Sequence, residues 1–155
     1  MRRKDKEVTD RKLLDRIIQG SEFCHLACCL DDRPYLIPLS FGYDGQAIYI
    51  HTAPQGKKIL IFEHNPWVWL SFVLQADLLT DPDQACQWSV RFSSVQAEGK
   101  ISEITEIADK KYALDQIMIH YSGREWDIAA NQLTGTRAWK ISLENITGKV
   151  SPPPS

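Results

Sequence analysis

The stretch RPYLIPLSFGYDGQAIYIHTAPQGKK, residues 33–58, decides the fold, because two strand-like runs flank a single tight turn. Residues 35–43 and 47–52 are rich in aromatic and aliphatic side chains, which is typical of β-strands. Asp44-Gly45 between them favours a two-residue hairpin turn, since that turn requires positive φ. We therefore predict that residues 47–52 pair antiparallel with the strand before them.

Further apolar runs on both sides of this hairpin extend the β pattern. Residues 23–30 predict a strand that ends at the turn sequence Asp-Asp-Arg-Pro. Residues 67–74 (WVWLSFVL) predict a strand buried on both faces, and residues 88–104 a long strand with a bulge at Gly99. Trp139, Ile141 and Leu143 alternate in a last strand, and residues 77–85 read as a polar loop.

Four helical segments interrupt or follow these strands. Thr9 is the expected N-cap of a first helix that runs to residue 19, and Asn65-Pro66 stops one or two helical turns at 59–64. A second helix is predicted at 107–121, with a stripe that includes Tyr112, and a short helix at 126–133. The fold class is therefore mainly β with appended helices, and about six antiparallel strands close most economically into a small barrel.

Length and charge exclude several classes of function. The chain has 155 residues, 18 Lys plus Arg against 20 Asp plus Glu, and a net charge of -2. It is long enough for one core, so we predict a single domain at 1–150 and a disordered Pro-rich tail at 151–155. The charge balance gives no drive toward nucleic acid or an anionic membrane, and no apolar run is long enough for a membrane helix.

The four cysteines match neither a disulfide framework nor a metal-binding pattern. Cys24, Cys28, Cys29 and Cys86 are interpreted as reduced, mostly buried thiols, and the charged start of the chain does not resemble a secretory signal. We expect a cytoplasmic protein without a metal site.

The sequence contains none of the common catalytic motifs, and one segment has a composition that suits ligand binding. In residues 51–58, an imidazole and a hydroxyl end a strand, and a Gly-containing turn leads to two lysines at the start of a helical turn. Helix-start N–H groups, lysine charge and a hydroxyl donor together suit a phosphate group. A solvated turn with no ligand remains the alternative. Trp67, Trp69, Trp88 and Trp139 are interpreted as core or interface residues that a planar ligand could also use.

The same string resembles the FMN-binding split barrels related to pyridoxamine 5′-phosphate oxidase, and within them the nitroimidazole-resistance branch. Motifs typical of that branch occur in order along almost the whole chain. They are MRRKD at 1–5, the strand and turn at 35–44, the turn at 51–58, Asn65-Pro66, Cys86 with Trp88, Ser-Ser-Val at 93–95, and Ile-Thr-Gly-Lys at 146–149. Each motif is weakly specific alone, and their shared order carries the resemblance.

The resemblance implies a six-stranded split barrel that forms a homodimer and holds FMN at the subunit interface. It places the phosphate-binding basic pair at Lys57 and Lys58, and contacts to the phosphate or the isoalloxazine at His51 and Thr52. The other implied cofactor contacts lie on two further strands: Pro38, Leu39, Ser40 and Ser94.

The implied activity is that of an FMN-dependent oxidoreductase that reduces a small planar acceptor, for example a nitroimidazole or another nitroaromatic compound. The flavin would carry the redox chemistry, so no catalytic side chain is implied. Three features depart from the family pattern. Ser93 replaces its usual arginine, with Arg91 two positions earlier. The oxidase's first-strand basic residues that bind the phosphate are absent, with Leu39, Ser40 and Phe41 nearby instead, and its C-terminal substrate-binding residues are not recognisable. We therefore do not expect oxidation of pyridoxamine phosphate itself.

Two alternatives remain open from the sequence. The first is a non-enzymatic protein that stores or senses haem or flavin, in which His51 or His64 could be an axial haem ligand. The second is a barrel that has lost its cofactor. Arg124 and Trp126 could line a ligand mouth in any of these cases.

Overall fold

The structure is a computed structural model that describes residues 4–151. Residues 1–3, which begin the MRRKD motif, and the Pro-rich residues 152–155 lie outside the described residues. The strands are β1 (Glu7–Val8), β2 (Cys24–Leu30), β3 (Arg33–Leu39), β4 (Gly42–Tyr43), β5 (Ala47–Thr52), β6 (Trp67–Leu79), β7 (Ser89–Ile104) and β8 (Arg137–Ser151). The α-helices are α1 (Arg11–Gly20), α2 (Lys57–His64), α3 (Ile107–Ser122) and α4 (Ala130–Gly135).

Within the described residues, all eight strands belong to one antiparallel sheet with the order β3-β2-β6-β7-β8-β5-β4, and β1 pairs with β8. Six of them have six residues or more and correspond to the six predicted strands. The mainly β fold class is therefore confirmed. The barrel does not close by strand pairing, since β3 and β4 end the path, and the architecture is a split β-barrel.

The sheet curls around its main hydrophobic core, to which α1 and α2 contribute buried side chains, and a second, smaller buried cluster packs α3 against β5 and β8. Phe41, just before β4, and Phe72 on β6 are both fully buried, and their ring centroids lie 5.1 Å apart in an edge-to-face contact. The cysteines are unpaired thiols; Cys24 and Cys28 are buried, whereas Cys86 is exposed. Among residues 4–151, no helix combines the length and hydrophobicity that crossing a membrane would require.

The predicted hairpin forms, but it is shorter than expected. Gly45 has φ 91°, and β4 pairs antiparallel with β5 through Gly42 opposite Tyr49 and Tyr43 opposite Ile48. The preceding residues separate from this pair, because the side chain of Phe41 enters the core and its N–H bonds to the hydroxyl of Tyr121 at 3.2 Å. The strand β3 pairs with β2 instead.

The prediction that β6 is buried on both faces is wrong. Val68, Leu70 and Phe72 point into the core, whereas Trp67 and Trp69 on the opposite face are 45% and 44% exposed. A uniformly apolar run cannot show which face is covered, since the alternation that would reveal it is missing. The strand also continues to Leu79, into the predicted loop. The register of β7 against β8 does shift between Glu98 and Gly99, but the unpaired residue is Glu144. The bulge therefore lies on β8, opposite the predicted position, and not at Gly99 itself.

The starts of α1 and α4 differ from the prediction. The N-cap of α1 is Asp10, whose carboxylate accepts a hydrogen bond from the N–H of Lys12, rather than Thr9. The short helix α4 begins at Ala130, four residues later than predicted. In α3, Ala113, Asp115 and Ile117 are buried.

Two further predictions, for the apolar stripe of α3 and for the end of the chain, are wrong at one residue each. Tyr112, placed in the predicted stripe, is 46% exposed, and its hydroxyl bonds to Asp44. Ser151, placed in the predicted tail, is buried as the last residue of β8.

Gly42 allows α3 to pack directly against the hairpin. A Cβ at this position would lie 2.4 Å from the carbonyl carbon of Gln116 and 2.5 Å from the nitrogen of Ile117. We expect Gly42→Ala to lower the free energy of unfolding by about 1–3 kcal/mol, because the helix backbone must move away. Urea unfolding measures this change. The control is Gly135→Ala, where a Cβ meets nothing within 4 Å; equal losses in the two variants would contradict the packing argument.

Candidate functional site

The turn between β5 and α2 carries the largest group of predicted site residues. β5 ends at Thr52, and α2 begins at Lys57 after the N-cap Gly56, which provides no side-chain cap. The first amides of the helix are therefore open to an anion. The helix ends at His64 with Asn65 as its C-cap, so the predicted stop is confirmed. The side-chain amide of Asn65 donates to the carbonyl of Cys29 at 2.9 Å, which connects the end of α2 to β2.

The two lysines of this turn point in different directions. The ammonium of Lys57 lies 4.6 Å from the ring centroid of Tyr35 on β3, so the turn and the predicted flavin strand meet here. The charge of Lys57 also acts to lower the pKa of Cys28. Burial of that thiol has the larger, opposite effect, so the pKa of Cys28 is raised overall. Lys58 acts on His51: desolvation of the ring, together with the charge of Lys58, lowers the pKa of His51. The neutral imidazole is thereby favoured near pH 7.

Thr52 faces the interior rather than the open side of the turn. It is buried, and its Oγ1 accepts a hydrogen bond of 3.0 Å from Nε1 of Trp139 on β8. The hydroxyl therefore anchors the end of β5 to the core. Its predicted role as a phosphate donor stays a prediction.

The other predicted contacts, Pro38, Leu39, Ser40 and Ser94, lie on or beside β3 and on β7. Leu39 is in register with Cys24, Phe72 and Val95 across β2, β6 and β7. Ser94 precedes Val95 on β7, so it lies next to this row of paired residues. Three strand spacings separate β7 from β3, which corresponds to about 14 Å. The hydroxyl of Ser94 donates weakly to the carbonyl of Lys149 at 3.5 Å.

Within one chain, Ser94 is not brought to the turn at 51–58. Ser94 pairs with Lys149 of β8, whereas Thr52 pairs with Arg137 at the opposite end of the same strand. These positions are 12 residues apart, which corresponds to about 40 Å along a straight strand. A single flavin that touches both would need two copies of the chain.

An apolar surface lies on the outer face of β3, β2 and β6. Leu36, Ala27 and Trp69 are in register across it, and Trp67 and Val73 extend it along β6. Leu36 is 64% exposed and Trp69 is 44% exposed. We call this surface the outer sheet face. Exposed aromatic and aliphatic groups of this kind are typical of interaction surfaces.

A polar cluster at the start of β8 was missed by sequence reasoning. Arg137 donates to Glu103 on β7 and to Glu63 at the end of α2, and these carboxylates raise its pKa. It borders an open depression of about 590 Å³ that Lys57 and Leu60 also line. The partners lie 34 and 74 residues away in sequence, so no local pattern could reveal the cluster.

A second cavity, of about 340 Å³, lies beside His51 between α3 and the segment before α4. Trp126 and Ile128 line it together with Met118. The guanidinium of Arg124 stacks on the ring of Trp126 at 4.1 Å from the centroid. The structure thus places Trp126 in a cavity wall and Arg124 behind it.

His64, the second candidate haem ligand, lies at the last residue of α2. Its Nδ1 is 2.8 Å from the carbonyl oxygen of Leu60, one helical turn earlier. This contact fixes the ring against its own helix and leaves Nε2 as the nitrogen open to a ligand.

Comparison with solved structures supports the same architecture. A protein of Bacteroides thetaiotaomicron provisionally named as a 5-nitroimidazole antibiotic resistance protein is 30% identical, with a TM-score of 0.83 over 93% of this chain and 86% of that one. An FAD and haem binding protein of Mycobacterium smegmatis (19% identity, TM-score 0.84, covering 97% and 76%) shares the fold. A flavocytochrome of Azotobacter vinelandii does so as well (21% identity, TM-score 0.79, covering 96% and 71%).

The strand order and the open barrel identify this chain as a split β-barrel protein. The sequence matches the family described as pyridoxamine 5′-phosphate oxidase over residues 10–150. The chain belongs to this family. An uncharacterised protein of Rhizobium meliloti is 33% identical over 63 residues, a stretch that spans 41% of either chain.

Proposed function

We propose that this protein binds FMN and acts as a flavin-dependent oxidoreductase. The observation that carries the proposal is the turn at 51–58, in which Lys57 and Lys58 begin a helix whose first amides no side chain caps. Lysine charge and open helix amides are the donors that a flavin phosphate requires. Family membership supports the proposal, as do the FAD and haem binding protein and the flavocytochrome that share the fold.

The residues of this chain would position the flavin rather than carry the redox step. Lys57 and Lys58 would bind the phosphate, and the exposed edge strand β3, with Pro38, Leu39 and Ser40, would lie along the ring system. His51 stands at the end of β5 as a neutral hydrogen-bonding group. When bound, the flavin supplies hydride and electron transfer.

A cytoplasmic homodimer completes the proposal. The outer sheet face would be covered by the second copy, which would also bring a partner Ser94 to each flavin. The unpaired thiols of Cys24 and Cys28 support a reducing compartment.

The acceptor is proposed to be a small planar compound, such as a nitroaromatic. The cavity beside His51 supports this class, because its wall is largely apolar and contains the ring of Trp126. Aromatic walls favour flat, uncharged ring systems.

The test is the visible absorbance spectrum of the purified protein, taken before and after incubation with excess FMN and removal of unbound ligand. We expect flavin bands that remain with the protein and a pigment that is identified as FMN after denaturation. A protein that retains no pigment contradicts the proposal. It would make the 51–58 turn a solvated loop.

Haem binding is the second candidate, favoured by the neutral state of His51 beside a cavity. Under the flavin proposal, His51→Ala and His64→Ala are each expected to leave a flavin spectrum in place, because neither histidine coordinates a metal and His51 would supply only a hydrogen bond. A Soret band that one of these substitutions abolishes would instead establish a haem protein with that histidine as ligand.

A further inference from the structure

Arg137 joins four separate elements around the proposed phosphate turn. Its Nε donates to Glu103 Oε1 of β7 at 2.8 Å, and its Nη2 donates to Glu63 Oε1 of α2 at 2.9 Å and also to Glu103 Oε2. Its Nη1 donates to the carbonyl of Pro54 at 3.4 Å. The guanidinium carbon also lies 4.8 Å from the ring centroid of Trp139, on its own strand.

These contacts hold both ends of the segment that carries the lysines. Before the turn, Thr52 pairs with Arg137 in the β5–β8 ladder and accepts the hydrogen bond from Trp139. Within the turn, Pro54 is held by the guanidinium, and after it Glu63 is held at the end of α2. The segment between Thr52 and Glu63, with Lys57 at its centre, is therefore fixed to the sheet by Arg137.

Arg137 also sets the local charge. Glu63 and Lys57 line the same depression, and Arg137 forms ion pairs with Glu63 and Glu103 that offset part of their negative charge. Loss of the guanidinium would leave two uncompensated carboxylates close to the place where a phosphate is proposed to bind. Carboxylates repel a phosphate dianion, so the expected effect has an electrostatic part as well as a geometric one.

We infer that Arg137 is a positioning residue for the phosphate group of the flavin. It fixes the turn and offsets part of the charge of the two surrounding carboxylates, while Lys57 and Lys58 would make the contacts to the phosphate. The inference rests on the proposed function.

The experiment compares FMN with riboflavin, which has the same ring system and lacks the phosphate. Dissociation constants for both ligands are measured by flavin fluorescence titration for the unmodified protein, Arg137→Gln, and the control Arg16→Gln, which removes an exposed charge from α1. We expect Arg137→Gln to weaken FMN binding by about tenfold, equal to about 1.4 kcal/mol. Riboflavin binding should change by less than about twofold, and the control should change neither constant.

A purely structural role predicts a different pattern. If Arg137 only stabilises the fold, both ligands weaken together and the ratio of their constants stays the same, which would overturn the inference. An unchanged FMN constant would overturn it as well. Should Arg137→Gln fail to fold, Arg137→Lys takes its place: it keeps the charge but cannot bridge Glu63, Glu103 and Pro54, and we expect about threefold loss for FMN alone.

The same titration separates this inference from the proposed function. A parent protein that prefers FMN to riboflavin, together with Arg137 variants that keep the full preference, contradicts only the role of Arg137. A parent protein that shows no preference for FMN contradicts the phosphate site itself, and the role of Arg137 with it.

Discussion

Simultaneous replacement of Lys57 and Lys58 by alanine is expected to weaken FMN binding by a factor of about 100 or more. Each charge-assisted contact to a phosphate contributes about 1.5–3 kcal/mol, and two of them exceed the roughly 2.7 kcal/mol that corresponds to a factor of 100. Lys57 is exposed and Lys58 half-buried, so their removal creates no cavity in the core. Riboflavin affinity should fall far less, because the ring system would contact other parts of the chain.

The control for this pair is Lys12→Ala with Arg16→Ala, which removes the same net charge from the exposed side of α1. It distinguishes a local phosphate site from a general loss of positive charge. Isothermal titration calorimetry of FMN at two salt concentrations measures both effects. FMN affinity that is unchanged in the lysine variant, or equally reduced in the control, would remove the turn at 51–58 as the phosphate site.

Local signals in the sequence predicted much of the fold. The Asp44-Gly45 turn and the helix stop at Asn65 depend on backbone preferences of one or two residues, and both occur where expected. The six long strands followed from runs of β-forming side chains. Each of these features is encoded within a few residues, which is why a single sequence reveals them.

The candidate site was less predictable, because it depends on contacts between distant segments. Nothing in the sequence around Arg137 indicates that Glu63 and Glu103 converge on it. Thr52 has a suitable hydroxyl at a suitable position, yet the indole of Trp139, 87 residues away, holds its oxygen in the core. Side-chain direction at a strand end depends on register with the neighbouring strand, and register becomes visible only in the folded chain.

The outer sheet face leads to the second prediction, which concerns assembly. Ser94 and the start of the 51–58 turn pair with opposite ends of β8, so the two lie far apart within one chain. We propose that a second copy brings its own Ser94 to the flavin. A second copy packed against the outer sheet face would cover Trp67, Trp69 and Leu36, which are all exposed in the single chain. Burial of such large apolar groups is the usual source of affinity in a homodimer.

We expect Trp69→Lys to weaken the dimer by about 100-fold or more, because an ammonium group would lose its hydration in the interface. The substitution is not expected to destabilise the fold of the single chain. Trp69 lies opposite Glu98 on β7, and a Lys–Glu cross-strand pair is favourable. Sedimentation equilibrium over a range of protein concentrations gives the dimer constant. The fraction of retained FMN, read from absorbance in the same cells, should fall in parallel.

Ile119→Lys is the matched control, because Ile119 is a similarly exposed apolar residue on α3, which packs against β4, β5 and β8 rather than the outer sheet face. A lysine near the C-terminal end of a helix is well tolerated. The control should remain a flavin-bound dimer. If the Trp69 variant also does so, the second copy binds elsewhere; if the unmodified protein retains FMN as a monomer, each site is complete within one chain, and the proposed role of a partner Ser94 is excluded.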